Sequence, residues 1–344
     1  MKTSPIYMSD FSYVPILRDG RNEQQVVDDF DKFADNNGVN YQSQIFPLIE
    51  LKNREDRGEL DSYRDLTDRL MIEFPHHLLY SDNKYSDDVE ELIDEYSGEV
   101  DLYADVLEGD EIPVVSSSAQ RPMDYGDYLG RYRALKDEYN PVAIRLFIRG
   151  AKLDKRQKAV IKGLFSELRD TDIVLLDLVD VAGMDHRAYS NLEWARSQLS
   201  NQECFVLNAF KYTESNHNYG PIAAQDLNAS GFGDYAINMR FPQEMNFAPP
   251  TKYIRLYDSE THDIHNYGGA NYEEALDEVL DSGDWDPSDS PFVKKAFNNP
   301  NLDPSTWKRI RMGHYMWEVT TDTLSRMTTD TGSDLDEKGA RDLP

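Results

Sequence analysis

The sequence predicts an α/β protein that is built as a (β/α)8 barrel of the TIM type and continues into a C-terminal hairpin and helices. Short apolar runs alternate with helical patterns through the first two-thirds of the chain, which is typical of repeated βαβ units and a parallel sheet. The run 172–180 is nearly all apolar although it contains Asp177, as expected for a strand that is covered on both faces. Eight such strands fit a closed barrel, which has no sheet edges to protect.

The strands and helices alternate regularly. Strands are predicted at 13–17, 45–51, 75–82, 112–116, 142–149, 172–181, 204–210 and 234–239. Helices are predicted at 23–36, 60–74, 87–96, 125–138, 155–168 and 189–199, because apolar residues recur there at helical spacing. A doubly wound open sheet is the alternative fold, but no Gly-x-Gly-x-x-Gly follows the first strand.

The regular alternation ends near Phe241, and Pro249-Pro250 interrupts the chain. A hairpin with arms at 253–257 and 263–267 is predicted next, followed by helices at 272–280 and 306–327. We therefore divide the chain into four parts. These are a lead-in at 1–12, a barrel at 13–248, an extension at 249–327 that packs on the barrel, and a disordered acidic tail at 328–344.

The composition is strongly acidic. Asp and Glu total 64 against 36 Lys and Arg, and the net charge of −28 is spread along the chain. Such a charge repels polyanions, so we expect no general binding to duplex nucleic acid. It favours a protein adapted to a halophilic host, where salt screens the repulsion. The single Cys204 excludes disulfides within the chain, and without a signal core or an apolar membrane span we expect a cytoplasmic protein.

Polar residues stand near the carboxyl ends of the predicted strands, where a barrel of this type gathers its functional groups. They are Arg18, Glu50, Asp82, Ser116, Arg145, Arg149, Asp177, Asp180, Asn208 and Asp234. We therefore predict a site at the mouth of the barrel, with Asp177 and Glu50 as catalytic candidates and Asn208 and Asp234 among the ligand contacts.

Three interpretations of these residues stay open. In the first, Glu50, Asp82 and Asp177 hold Mg²⁺ or Mn²⁺, while Arg18 and Arg145 bind a phosphate, as metal-assisted phosphoester hydrolysis requires. In the second, the carboxylates and arginines neutralise one another as a buried network. In the third, the mouth binds a ligand without turnover.

Two further residues enter the predicted site from the C-terminal extension. His314 on the last helix is a candidate general acid or base. Arg255 lies among the hairpin tyrosines, where it and the rings can stack on a base or on a partner surface. No Gly-x-Ser-x-Gly elbow, P-loop or His-Glu-x-x-His occurs, which disfavours the common hydrolase, NTPase and zincin chemistries.

Several phrases of the sequence resemble the phage "Beta protein" family of prophages and mobile islands. They are Tyr13-Val-Pro-Ile-Leu-Arg-Asp-Gly-Arg-Asn-Glu23, Phe46-Pro-Leu-Ile-Glu50, Phe232-Gly-Asp-Tyr235, Tyr253-Ile-Arg-Leu-Tyr257 and the late Trp307 with Gly313-His314-Tyr315. The family shows paired histidines where this chain has His314-Tyr315. The resemblance implies a barrel-like domain, an uncharacterised activity and an association with mobile-element conflict or anti-phage defence.

The favoured function is thus a Beta-family protein of mobile-element or anti-phage-defence origin. Its barrel mouth would take a phosphate-bearing small molecule and would hydrolyse it if a divalent ion binds. The alternative is a non-catalytic interaction protein that senses or blocks a phage or host component.

Overall fold

Eight parallel strands form a closed barrel in this computed structural model, in the order β1-β2-β3-β4-β5-β6-β7-β9. The strands are β1 (Ser12–Arg18), β2 (Leu48–Glu50), β3 (Met71–Glu73), β4 (Ile112–Ser116), β5 (Ala143–Phe147), β6 (Ile173–Asp177), β7 (Glu203–Leu207) and β9 (Gly231–Asp234). The structure describes residues 12–18, 20–38, 41–51, 60–67, 69–75, 96–116, 125–148, 153–178, 186–208, 215–237, 252–258, 263–283, 290–298, 302–303 and 305–320. The predicted (β/α)8 TIM-barrel fold is confirmed, and the open-sheet alternative is wrong.

Helices connect these strands and cover the outside of the barrel. They are α1 (Arg21–Asn37), α2 (Asp61–Leu66), α3 (Tyr96–Val106), α4 (Tyr125–Glu138), α5 (Lys155–Phe165), α6 (His186–Arg196) and α7 (Gly220–Asp226). Helix α1 buries Val26, Val27 and Phe30 and stops at Gly38, whose φ of 65° is the left-handed conformation that glycine adopts without strain. Helix α5 begins with a capping box between Asp154 and Gln157.

Side chains alternate between the barrel interior and the helices, because successive strand residues point to opposite faces. The interior cluster includes Val14, Leu48, Met71, Val114 and Leu175, whereas their strand neighbours pack in a separate cluster with the surrounding helices. This two-sided burial explains why the strands read as continuous apolar runs in the sequence.

The barrel closes at a seam of glycines between β1 and β9. Ser12 pairs with Gly231 and Val14 with Gly233. A Cβ at Gly233 would lie 2.3 Å from the Val14 carbonyl oxygen, and one at Gly231 would lie 2.0 Å from that of Ser12. Only glycine lets these two strands approach so closely.

A second sheet lies outside the barrel. Strand β8 (Ser215–His217) follows β7, and the hairpin of β10 (Lys252–Tyr257) and β11 (Asp263–Gly269) follows β9; the three pair in the order β10-β11-β8. Both insertions start at carboxyl ends of barrel strands, so this sheet is attached to the mouth side of the barrel. The antiparallel hairpin pairing was expected from the sequence and is observed. The participation of β8 was not expected.

The chain ends, within the described residues, in helices α8 (Tyr272–Ser282), α9 (Pro291–Asn298) and α10 (305–320). Tyr315 on α10 contacts Tyr13 of β1 and bonds to Asp234 of β9, and Trp317 packs edge-on against Phe30 of α1. Helix α10 therefore covers the β9–β1 seam, which is the place of the eighth helix in a barrel of this type. No helix in the described part of the chain has the length and hydropathy that a bilayer span needs.

Two element predictions are wrong. The segment predicted as a helix at 60–74 contains α2 and then the third barrel strand, Met71–Glu73, which had been placed at 75–82. The eighth barrel strand is Gly231–Asp234 and not 234–239. The predicted tail, residues 321–327 of the predicted last helix, and most of the predicted helix at 87–96 lie outside the described residues.

Candidate functional site

A layer of polar side chains lies on the apolar interior of the barrel, at the carboxyl ends of the strands. On each of six strands, the residue two positions after an interior apolar residue is polar, and it therefore faces the interior as well. These residues are Arg18, Glu50, Glu73, Ser116, Arg145 and Asp177. Arg18, Glu50 and Glu73 are successive register partners on β1, β2 and β3, so they lie side by side.

The centre of this layer is the guanidinium group of Arg145, which is fully buried. Its Nη1 lies 2.8 Å from Glu50 Oε1 and 2.5 Å from Glu73 Oε2, and its Nε lies 2.8 Å from Asp177 Oδ2. One cation thus bridges carboxylates from β2, β3 and β6. A planar guanidinium can do this because its donors point in several directions within one plane.

Tyr235, just after β9, joins the layer from beside β1, the strand of Arg18. Its hydroxyl accepts from Arg145 Nη2 at 3.0 Å and donates to Glu50 Oε1 at 2.6 Å. The Arg18 guanidinium lies 5.3 Å above the Tyr235 ring, and its Nε is 3.6 Å from Glu50 Oε2. About a quarter of the Arg18 side chain is exposed, at 24%, whereas the Arg145 side chain has no exposure. Of these two arginines, Arg18 is therefore the one that solvent or a ligand can reach at the rim of the barrel.

The charges of the layer do not balance. Two guanidinium groups face three carboxylates, which leaves one negative charge when all are ionised. Burial raises the pKa of Glu73; the neighbouring Glu50 charge adds to this, and Arg145 and the Ser116 hydroxyl only partly offset it. Burial opposes the charge on Arg145, but the field of Glu73, Tyr235, Asp177 and Glu50 outweighs it and raises the pKa of that group. The raised pKa makes Glu73 easier to protonate than a solvent-exposed glutamate.

Asp234 lies in a different cluster. Its carboxylate accepts from the Tyr13 hydroxyl at 2.9 Å, the Asn218 amide at 3.1 Å, the Ala236 backbone N–H at 2.9 Å and the Tyr315 hydroxyl. These partners come from β1, from the segment before α7, from the turn after β9 and from α10. Burial raises the pKa of Asp234 to about 6, although all these hydrogen bonds act in the opposite direction. The cluster ties the closing helix to the barrel seam, and Asp234 is not brought together with Arg145.

The other predicted site residues are also dispersed. Asn208 is buried directly after β7, where its backbone N–H bonds to Gly233. Arg255 is buried in the hairpin, and it donates to Asn266 at 2.8 Å and to the Ile237 carbonyl at 3.0 Å. Through the second of these bonds it attaches the outer sheet to the turn that follows the eighth barrel strand.

His314 lies on α10 and faces Ser290, the residue that precedes α9. Its Nδ1 is 3.0 Å from Ser290 Oγ and its Nε2 is 3.4 Å from Glu318 Oε1. Burial lowers the pKa of His314 to about 3, so the ring is neutral at neutral pH.

The structure thus brings together Arg18, Glu50, Arg145 and Asp177, as the sequence predicted, and adds Glu73 and Tyr235. Asp82, Arg149 and Asp180 lie outside the described residues. Within the described ranges, no group of three or more His, Cys, Asp or Glu side chains is arranged to hold a metal ion; the space between Glu50 and Asp177 is taken by the Arg145 guanidinium.

Glu73 was missed because its strand is only three residues long. Apolar residues recur at helical spacing across the α2–β3 junction, at Leu60, Tyr63, Leu66, Leu70 and Phe74. This pattern predicts a helix where the short strand lies. A usable signal was the Met71-x-Glu73 alternation, which matches Leu48-x-Glu50.

Comparisons with known proteins find only distant similarities to solved structures. No protein-family model and no curated protein matches the chain. Among solved structures, the chain is similar to the carboxyl transferase domain of Rhizobium etli pyruvate carboxylase, with 12% identity and a TM-score of 0.40, over 92% of this chain and 49% of that one. It is also similar to an HMG-CoA lyase from Brucella melitensis, with 10% identity and a TM-score of 0.32, over 90% and 99% of the two chains. The chain spans about half the length of the carboxyl transferase chain, and similarities this distant carry no argument about chemistry.

Proposed function

We propose that the mouth of this barrel binds a phosphate-bearing small molecule, with Arg18 as the phosphate contact. The observation that carries the proposal is the position of Arg18, which is held over the Tyr235 ring beside Glu50 and is partly exposed at the rim. A guanidinium group can bind phosphate oxygens through two parallel donors. Arg145, which the sequence analysis gave as a second phosphate contact, has a different role in this proposal. It is fully buried and bridges three carboxylates, so it positions the polar layer beneath the ligand.

The proposal includes metal-assisted hydrolysis of the ligand as its catalytic form, with Mg²⁺ or Mn²⁺ as the ion. The carboxylates of Glu50 and Asp177 in this layer support it, because hard cations prefer carboxylate oxygens; the ion would have to displace the Arg145 guanidinium from between them. The biological setting we propose is the cytoplasm of a cell that carries a mobile element. The motif resemblance to the phage "Beta protein" family supports that setting.

Calorimetric titration with inorganic phosphate tests the binding site. We expect Arg18→Ala to abolish the binding heat, because no other partly exposed cation belongs to the described layer. Arg133→Ala is the matched control, since Arg133 is half exposed on α4 and pairs with Glu167. Equal phosphate affinity in Arg18→Ala and the wild type would refute the proposal.

A second titration, with MnCl₂, tests the catalytic form. An enzyme of the proposed type binds the ion and loses that binding in Asp177→Asn, and it releases p-nitrophenol from p-nitrophenyl phosphate only when the ion is present. Circular dichroism must show that Asp177→Asn is folded. Absence of both manganese binding and product would remove hydrolysis and leave ligand binding in place.

The second candidate function is a non-catalytic protein that senses or blocks a phage or host component. The specific observation in its favour is that Arg145 satisfies three carboxylates at once, which is the arrangement of a buried network that stabilises one barrel register. Phage plating on cells that express the wild type or Arg18→Ala separates the two. Equal protection by both proteins would support the non-catalytic function.

A further inference from the structure

Glu73 and Ser116 present two buried polar atoms that the Arg145 network does not use. Glu73 Oε2 bonds to Arg145, but Glu73 Oε1 has no hydrogen-bond partner within the described part of the chain, and neither has Ser116 Oγ. The exposed fraction of Glu73 is 0% and that of Ser116 is 1%. Buried polar atoms are nearly always paired, so two such atoms in one place require an explanation.

The two atoms belong to one place in the barrel. Glu73 is the register partner of Val114, and Ser116 is the next residue of β4 that faces the interior, so the two side chains are diagonal neighbours on the inner face. The Ser116 hydroxyl acts on the Glu73 carboxylate as a hydrogen-bond donor that lowers its pKa, but the contact misses the distance or angle of a full hydrogen bond. A third group placed between them can bond to both.

We infer that the ligand of this site carries a hydrogen-bond-donating group, a hydroxyl or an ammonium, that binds between Glu73 Oε1 and Ser116 Oγ. The inference rests on the proposed phosphate site and narrows its ligand to a phosphorylated polyol or amino alcohol. The phosphate binds to Arg18 and the donor group reaches the neighbouring carboxylate, along the row that Arg18, Glu50 and Glu73 form.

The chemistry of the two atoms excludes a second phosphate at this position. When Glu73 is ionised its Oε1 accepts only, and it then belongs to a layer whose carboxylates outnumber its guanidinium groups. An anionic group would therefore be repelled, whereas a hydroxyl donates to the carboxylate and accepts from the Ser116 hydroxyl.

The probes are glycerol 3-phosphate, O-phosphoethanolamine and n-propyl phosphate, which share a phosphate ester and differ in the donor group. We expect one of the first two to bind about tenfold or more tightly than n-propyl phosphate by calorimetry, as one hydrogen bond to a charged group allows. Ser116→Ala should remove most of that preference and leave n-propyl phosphate binding within about twofold. Tighter binding of glycerol 3-phosphate identifies the donor as a hydroxyl, and tighter binding of O-phosphoethanolamine identifies it as an ammonium.

Ser166→Ala is the matched control, because Ser166 is an exposed serine at the end of α5. Glu73→Gln is the second variant; it keeps the side-chain length, and it should weaken the preferred probe more than n-propyl phosphate. If all three esters bind equally and Ser116→Ala changes none of them, the inference is overturned while the phosphate site stands. If no ester binds, or if binding is unchanged in Arg18→Ala, the proposed function itself fails.

Discussion

Arg145 donates from Nε to Asp177 Oδ2 at 2.8 Å across β5 and β6, although Asp177 lies opposite Phe147 in the strand register. The contact is a diagonal one, two residues along the strand, which a long side chain can span. The same guanidinium reaches Glu50 and Glu73 on the far strands. One side chain therefore joins β5 to three other strands through the interior.

Arg145→Met should destabilise the protein by about 3 to 5 kcal/mol at neutral pH, because it leaves three carboxylates buried without their cation. Arg145→Lys should lower the free energy of unfolding by an intermediate amount, since one ammonium group cannot replace all the planar donors of the guanidinium group. The free energy of unfolding is measured by urea denaturation. The exposed Arg133→Met should cost less than about 1 kcal/mol. A loss of that small size in Arg145→Met would contradict the bridging role.

Asp234 should make stability depend on pH between about 4 and 6. Its pKa is raised from 3.8 to about 6 by burial, so the folded protein holds a proton that the unfolded chain releases. Its contribution to the free energy of unfolding therefore falls as pH rises through this window, by about 3 kcal/mol at most. Asp234→Asn should lack this dependence, whereas the exposed Asp61→Asn should keep it. Denaturation curves at several pH values measure the difference, and parallel profiles for all three proteins would count against it.

Gly233→Ala and Gly313→Ala should both destabilise the fold. Only for Gly313→Ala should a second substitution, in the side chain that the new methyl group meets, restore stability. A Cβ at Gly313 would meet the Phe292 ring at 2.2 Å, and a smaller side chain can relieve that contact. At Gly233 the obstacle includes the Val14 carbonyl oxygen at 2.3 Å, which no substitution removes. We expect Gly313→Ala with Phe292→Leu to regain stability relative to Gly313→Ala, measured by thermal melting. Gly233→Ala with Leu207→Ala should show no such recovery, and rescue there would argue against backbone contact as the cause.

The net charge of −28 predicts a strong response to salt. Repulsion between dispersed carboxylates weakens as the screening length falls to about 3 Å at 1 M salt. The melting temperature should rise by more than about 5 °C between roughly 0.1 M and 2 M potassium chloride. Sorbitol at matched osmolality is the control, because it leaves the charges unscreened. A flat response to potassium chloride would remove the halophilic interpretation.

Much of the site was accessible from the sequence because barrel strands bring their carboxyl ends to one mouth. Arg18, Glu50, Arg145 and Asp177 all lie in strands with clear apolar runs, and the structure groups them. Asp234 was predicted to join the mouth residues but lies in the cluster at the barrel seam. The sequence does not show on which face of its strand a side chain lies, and a shift of one residue reverses that face. Tyr235 was not predicted as a site residue, since it stands after the strand and joins the layer only through the closure of the barrel.

The sequence by itself determined the fold class and five of the six strands that carry the polar layer at the mouth, because two-sided burial forces apolar runs that local patterns display. Only the tertiary structure decided that Met71–Glu73 is a strand, because a segment of three residues is held by its pairing with β2 and β4 and not by its own propensity. It also decided that Arg145 serves three carboxylates and that α10 closes the seam. These relations join residues far apart in the chain, and no local pattern records distances between them.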